Sequence, residues 1–492
     1  MRVACGARLS EKPASLRFSK SADRPTRDER LPHTGCQGAS GIGRLASALP
    51  DAAAAAAASG FVNTLLKRPL ELDEGVHGHF VEQHAPHDGA DHGAHQGNHR
   101  HSQGLLGGNL ARHHQGRQHG RHRAADSHIT QPEGHSMLAG QNGAGGKKEI
   151  LGIEYANSIK PTVTINGKEY KVQLITADNA SEQSKAPAAA QTLISKGVSV
   201  VIGTYGSSCA IAAGPLFRDA KIPAIGTSCT NPQVTEGNDY YFRVSYIDPF
   251  QGAVMANFAN KEKGSVNCAL IIESGDDYSA GFGNYFQKEM ERLGGKATVL
   301  EFQKGETDFS TIMATIKSAG YDGIFAPVSI ETAAMIISQA RDSGVTCPIM
   351  AGDTWDDISI AQRTGDKATD IYFSAFFDAA DESNAEGKAF VEGFKKWVAE
   401  DKTRIENNGG TADAISSVTP CGYDAYMAAV NAIEKAGSTE GAAIRDALAA
   451  LEVKGLVTGD LKFDENGDAI KTYAVIKTIK DGDIVYYSTY NG

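Results

Sequence analysis

From Leu138 to Gly492 the chain has no histidine at all, although 15 lie between His33 and His135. That absence excludes imidazole-dependent triads, general bases and metal ligands from the larger part of the protein. Seven cysteines (Cys5, Cys36, Cys209, Cys229, Cys268, Cys347, Cys421) are scattered without CxxC spacing, so neither a zinc site nor a disulfide framework is indicated. Free thiols are the expected state, with Cys209 and Cys229 the one pair whose loops could meet. No apolar run reaches the roughly 18 residues that span a bilayer, and the opening MRVACGARLSEKPASLRFSK lacks the apolar stretch of an export signal. GxxxxGK[ST], GxSxG and HExxH are also missing, and GASGIG at Gly38 to Gly43 follows no strand. The expectation is a protein without catalytic residues, cofactor or metal site.

What is present falls into two unlike pieces. The first 137 residues carry 16 basic and 13 acidic side chains, and the remainder 32 and 46. The first piece is a low-complexity His/Arg/Gly/Ala-rich segment with too few apolar residues to offset its ordering entropy. It reads as disordered or out of frame. Stretches such as HDGADHGAHQGNHRH invite a metal-binding reading, but no spacing repeats. The acidic body argues against nucleic acid and anionic membrane surfaces as partners and fits capture of small molecules.

From Tyr170 the body alternates strands and helices. YKVQLITAD, VSVVIG, IPAIGT, NCALIIES, ATVLEFQ, GIFAPV and CPIMAG read as strands. Helical spacing follows nearly all of them, as in SSCAIAAGPLFRDAK, with Ser207 or Ser208 at its start, and YSAGFGNYFQKEMERLG. Fully apolar strands between amphipathic helices imply parallel sheets covered on both faces. Two such runs, divided near Tyr246 to Gly252, predict an α/β protein of two doubly wound lobes joined by a multi-strand hinge. Lobe 1 is expected to span 138–250 and 377–460, and lobe 2 to span 251–376 and 461–492. The ENGD and KDGD turns near the end carry hairpin chemistry.

Ligands of open α/β sheets bind beyond the carboxyl ends of the strands. GTYGSSC feeds Ser207 and Ser208 into a helix start, whose free N–H groups suit a carboxylate. GTSCTNPQ presents Ser228 and Thr230, and AGDTWDD places Asp353 at a strand end of the other lobe, where it can pair with an ammonium. Singly these residues serve as helix caps at least as often as ligand groups. Together, donors on one lobe and a carboxylate on the other match a zwitterion.

From about Gly140 onward the chain resembles the branched-chain amino-acid (Leu/Ile/Val-type) substrate-binding proteins of ABC importers, with the type I periplasmic-binding fold. LISKGVSVVIGTYGSS, IPAIGTSCTNPQVTEGNDYYFRVSYIDPFQG, DDYSAGFGNYFQKEMERLGG and CGYDAYMAAVNAIEKAGS carry the resemblance. It implies that Ser207, Ser228 and Thr230 hold the ligand's carboxylate and part of its ammonium. Asp353 then stands where the family has its ammonium-pairing acid, and Tyr278 where an aromatic lines the closed cleft. It further implies membrane permease subunits as partners, a monomer without direct membrane insertion, and a periplasmic or cell-surface location. A ligand-sensing module of a receptor or regulator is the alternative on the same fold. Two departures stand out. The family's aromatic after the GIFAP strand is Ser329 or Ile330 here, and its opening strand, IKIGVxxPLTG, is reduced to the loop remnant SMLAGQNGAGG. The missing strand predicts poor folding or weak binding unless residues just before Met137 supply a substitute.

Overall fold

The computed structural model describes residues 64–67, 140–381 and 383–491. The histidine-rich stretches, and the disorder expected of them, lie outside the described residues.

The first lobe is built on the apolar run Val198–Ile202, a strand with every residue buried. It pairs in parallel with Ala224–Gly226, which pairs in parallel with Tyr241–Arg243. Buried strands of this kind need helices on both faces. Ala186–Ser195 and Ser207–Asp219 supply a separate apolar cluster around Leu193 and Phe217. Gly143–Ile159 and Val418–Ala436 pack against each other. Glycines set how close those two come: a Cβ on Gly152 would fall 1.9 Å from the Thr419 carbonyl, and one on Gly422 2.4 Å from that of Glu149. Asp424 on Val418–Ala436 fixes the following chain by accepting the N–H groups of Val457 and Thr458 and the Thr458 hydroxyl.

The second lobe has a seven-stranded sheet. Five parallel strands, in the order Lys296–Phe302, Asn267–Glu273, Gly323–Phe325, Ile349–Ala351 and Ile371–Ala375, are extended by an antiparallel hairpin of Tyr473–Lys480 and Asp483–Asn491. The hairpin turns at Asp481 and Gly482, both at positive φ, as the KDGD signal predicts. Expected helices appear as Asp277–Arg292, Ser310–Ala319, Ile330–Asp342 and Ile358–Thr364.

The ENGD turn behaves differently from the expected boundary at 461. Leu461–Lys462 pairs with Glu452–Val453, the ring of Phe463 lies 5.2 Å from that of Phe242, and Asp468 pairs with the buried Arg243 guanidinium. Residues 461–468 therefore stay with the first lobe, because Arg243 would otherwise be buried without an anion. The chain enters the second sheet only at Tyr473. Crossings between the lobes run side by side at Tyr246 and Phe376, whose ring centroids are 4.6 Å apart.

YKVQLITAD does not form the strand expected of it. Lys168–Lys171 closes a hairpin with Thr162–Ile165, and residues 172–178 have no ladder partner. The flank of Val198–Ile202 opposite Ala224–Gly226 is taken by Thr64–Lys67, which runs antiparallel with Thr64 opposite Ile202 and Lys67 opposite Val198. A substitute strand is thus supplied, from some 70 residues further upstream than expected. Deleting residues 1–137 should lower stability by about 3 kcal/mol or more, since several buried backbone groups lose partners at roughly 1–3 kcal/mol each. Urea unfolding of the full and shortened chains checks this, and identical midpoints would overturn it.

Candidate ligand-binding cleft

The C-terminal ends of strands from both lobes converge on one small cavity of about 30 Å³. On the first-lobe side, Val198–Ile202 leads through Tyr205 and Gly206 into the helix Ser207–Asp219. Gly206 is the N-cap, extended and without a side-chain cap bond, so Ser207 is inside the helix rather than capping it. Its hydroxyl accepts the N–H of Asn231 at 3.2 Å. After Ala224–Gly226, Thr227 and Ser228 both donate to one oxygen of Glu149, at 2.6 and 2.5 Å. The other oxygen, Glu149 Oε2, is buried with no hydrogen-bond partner among the described residues.

On the second-lobe side, the turn after Ile349–Ala351 presents Asp353. The Tyr278 phenol, from the first turn of Asp277–Arg292, donates to Asp353 Oδ1 at 3.1 Å. Thr354 is held by the Val328 carbonyl at 2.9 Å. Glu273, the last residue of Asn267–Glu273, faces the same cavity, and Asp276 caps Asp277–Arg292 by accepting the Ser279 N–H at 2.8 Å. Ser329, where the family's aromatic was expected, lines the cavity as a helix cap.

Of the residues singled out from sequence, Ser207, Ser228, Tyr278 and Asp353 share this cavity, and Ser208 and Thr230 stand outside it. Ser208 lies in the seam between the lobes, donating to Asp276 at 3.1 Å and accepting the N–H of Asp277 at 2.8 Å. Thr230 is fully buried behind the cleft, where its hydroxyl accepts from Gln251 at 3.2 Å. Cys209 and Cys229 are free thiols whose pKa values burial pushes to about 12.

The lobes are closed. Asn231 Nδ2 donates to the Asp277 carbonyl at 2.7 Å, and the Ile330 N–H donates to Asn142 Oδ1 at 3.2 Å. Lys148, adjacent to Glu149 on the helix Gly143–Ile159, pairs across the lobes with Asp357 at 2.6 Å, both side chains buried. A larger open depression of about 440 Å³ lies against this seam. Its buried charges are already matched, Lys148 with Asp357 and Lys477 with Asp356.

Burial dominates the electrostatics. It raises the Glu149 pKa to about 8 against the lowering effect of the Ser228 and Thr227 hydroxyls, with the charge of Asp353 adding to the rise. Asp353 is pushed to about 7 by burial and then by Asp248, itself raised to about 6 by burial. The site offers helix N–H groups and hydroxyls from one lobe and a buried carboxylate from the other, an arrangement suited to gripping a zwitterion.

Two α/β lobes crossed several times by the chain and closed over a polar cavity define a hinged solute-binding protein of the type I periplasmic-binding fold. The description "Periplasmic binding protein" matches residues 140–483. A leucine binding protein, LivK, from Thermotoga maritima MSB8 is 32% identical with a TM-score of 0.65, the likeness covering 72% of this chain and 96% of that one. Leu/Ile/Val-binding protein homolog 1 of Brucella abortus (strain 2308) is 27% identical over 354 residues, 71% of this chain and 90% of the relative. A solute binding protein of an ABC transporter from Rhodopseudomonas palustris BisB5, solved with 3,4-dihydroxy benzoic acid, shares the fold at 21% identity and a TM-score of 0.61, over 72% of this chain and 94% of that one. The chain belongs to the periplasmic binding protein family, whose members bind solutes and do not transform them.

Because the folded state keeps a proton on Glu149 that the unfolded chain gives up from about pH 4.5, stability falls as pH rises towards about 8. The slope contributed is at most about 1.4 kcal/mol per pH unit. Glu149→Gln should therefore lose less stability than the parent between about pH 5 and 8 in urea titrations, and parallel profiles would refute the assignment.

Proposed function

We propose that this protein is the solute-capturing component of an ABC importer, taking an amino acid into the interlobe cleft and handing it to membrane permease subunits. The observation that carries the reading is that Ser207 and Ser228 of one lobe share a closed cavity with Asp353 of the other. An α-ammonium on Asp353 replaces the missing counter-ion of a buried carboxylate, and the helix start at Ser207 receives the carboxylate. Closure is then selected by ligand, because only the closed form brings both ends of the zwitterion to their partners. The relatives named for leucine or Leu/Ile/Val binding support an amino acid as the ligand class. Among the described residues no helix is long and apolar enough to cross a membrane. Membership in a periplasmic family supports a place outside the cytoplasmic membrane, where the chain works as a monomer that docks on its permease.

Calorimetric titration with a panel of amino acids tests this. Micromolar binding with the ligand recovered unchanged is the expected result. Asp353→Asn should weaken it at least about 100-fold, roughly 2.7 kcal/mol, in line with losing one partner of a buried charge pair. Chemical conversion of the ligand, or unaltered binding by the Asn variant, would refute the proposal.

A further inference from the structure

The walls of the cavity are strongly one-sided in charge. Asp353, Glu273 and Asp276 line it, and no lysine or arginine does. Its apolar lining is limited to Val328 and the rings of Tyr205 and Tyr278.

The three acids are not equivalent. Asp276 is spent on Ser208 and the Ser279 N–H, and Asp353 accepts the Tyr278 phenol and stands ready for an α-ammonium. Glu273 is only 5% exposed, and its carboxylate has no hydrogen bond or ion pair among the described residues. Only its backbone is engaged, the N–H donating to the Ser279 hydroxyl at 2.9 Å. Lys304, the cation whose charge reaches Glu273, is not in the cavity wall and donates to the Ser181 carbonyl at 3.3 Å. A carboxylate largely withdrawn from water is stabilised by a donor or a cation beside it. Its pKa is raised by burial to about 7, consistent with a group waiting for a positive partner.

Resting on the amino-acid-binding reading above, we infer that the ligand carries a second cationic group, an ammonium or guanidinium on its side chain, and that Glu273 is the residue that selects it. Asp353 takes the α-ammonium and Glu273 the side-chain cation. The polar edge made by Ser329 and Ser279 then replaces the apolar wall that an aliphatic ligand would need. Anionic aromatic acids are disfavoured by the same charges.

The test compares L-lysine and L-arginine with L-norleucine, the neutral chain closest in shape to lysine, by calorimetry at pH 7.5 on the full chain. The basic amino acids should bind at least about tenfold tighter. In Glu273→Gln that gap should shrink to within about threefold. Norleucine binding as tightly as lysine to the parent protein overturns the inference and leaves amino-acid capture standing, whether or not the Gln variant folds. A lysine preference that persists in Glu273→Gln overturns the role of Glu273. Absence of binding to every amino acid tested overturns the underlying reading, and this inference with it.

Discussion

A carboxylate sealed between two lobes with no cation beside it governs this protein. Asp353 is 2% exposed and has uncharged hydrogen-bond donors around it, the Tyr278 phenol and Gln251 among them. The cost of dehydrating a carboxylate is recovered only by a positive partner or by protonation. Neither lobe supplies that partner, since the buried lysines nearby are committed to Asp356 and Asp357. A cation seated beside Asp353, as the proposed ligand supplies, would favour the closed cleft over the closed empty one, and this difference is what a hinge needs if ligand is to choose between its two positions.

The helix Gly143–Ile159 brings that choice to both lobes. Successive residues on it point to different partners: Glu149 to the hydroxyls of Thr227 and Ser228 in its own lobe, and Lys148 to Asp357 across the seam. Asp357 lies four residues beyond Asp353, so the carboxylate proposed to meet the ligand and the interlobe ion pair share one piece of backbone. When Glu149 is ionised, the Ser228 proton is committed to it and Ser228 can only accept from a ligand. When Glu149 is protonated, Ser228 can turn its own proton towards a carboxylate. The electrostatics of the cleft floor and its hydrogen-bond polarity are thus one variable.

Much of this was legible in the chain. Apolar runs between amphipathic segments point to two largely parallel sheets, and the strand-end rule picks out Ser207, Ser228 and Asp353, which line one cavity. Resemblance added Tyr278. Thr230 fails because the same turn that exposes Ser228 folds Thr230 back onto Gln251, and a two-residue offset in a loop carries no periodic signal. Ser208 fails because one helical step of about 100° carries it out of the cavity into the seam. Glu273 obeys the strand-end rule and could have been found by applying it to NCALIIE. Glu149 had no local signature: it lies in mid-helix, and its meaning depends on Thr227 and Ser228, nearly 80 residues away.

The first-lobe sheet shows how far a partner determines a strand. YKVQLITAD has the composition of a buried strand, yet residues 172–178 form none, whereas VSVVIG forms one with neighbours on both sides. Propensity favours extended backbone in both, but buried N–H and C=O groups must be paired, and pairing is a property of the neighbour. Thr64–Lys67 meets that demand antiparallel beside an otherwise parallel set. That strand supports the one strand whose end carries Tyr205 and Ser207 into the cleft, so the position of the helix start at Ser207 depends on how firmly Val198–Ile202 is held.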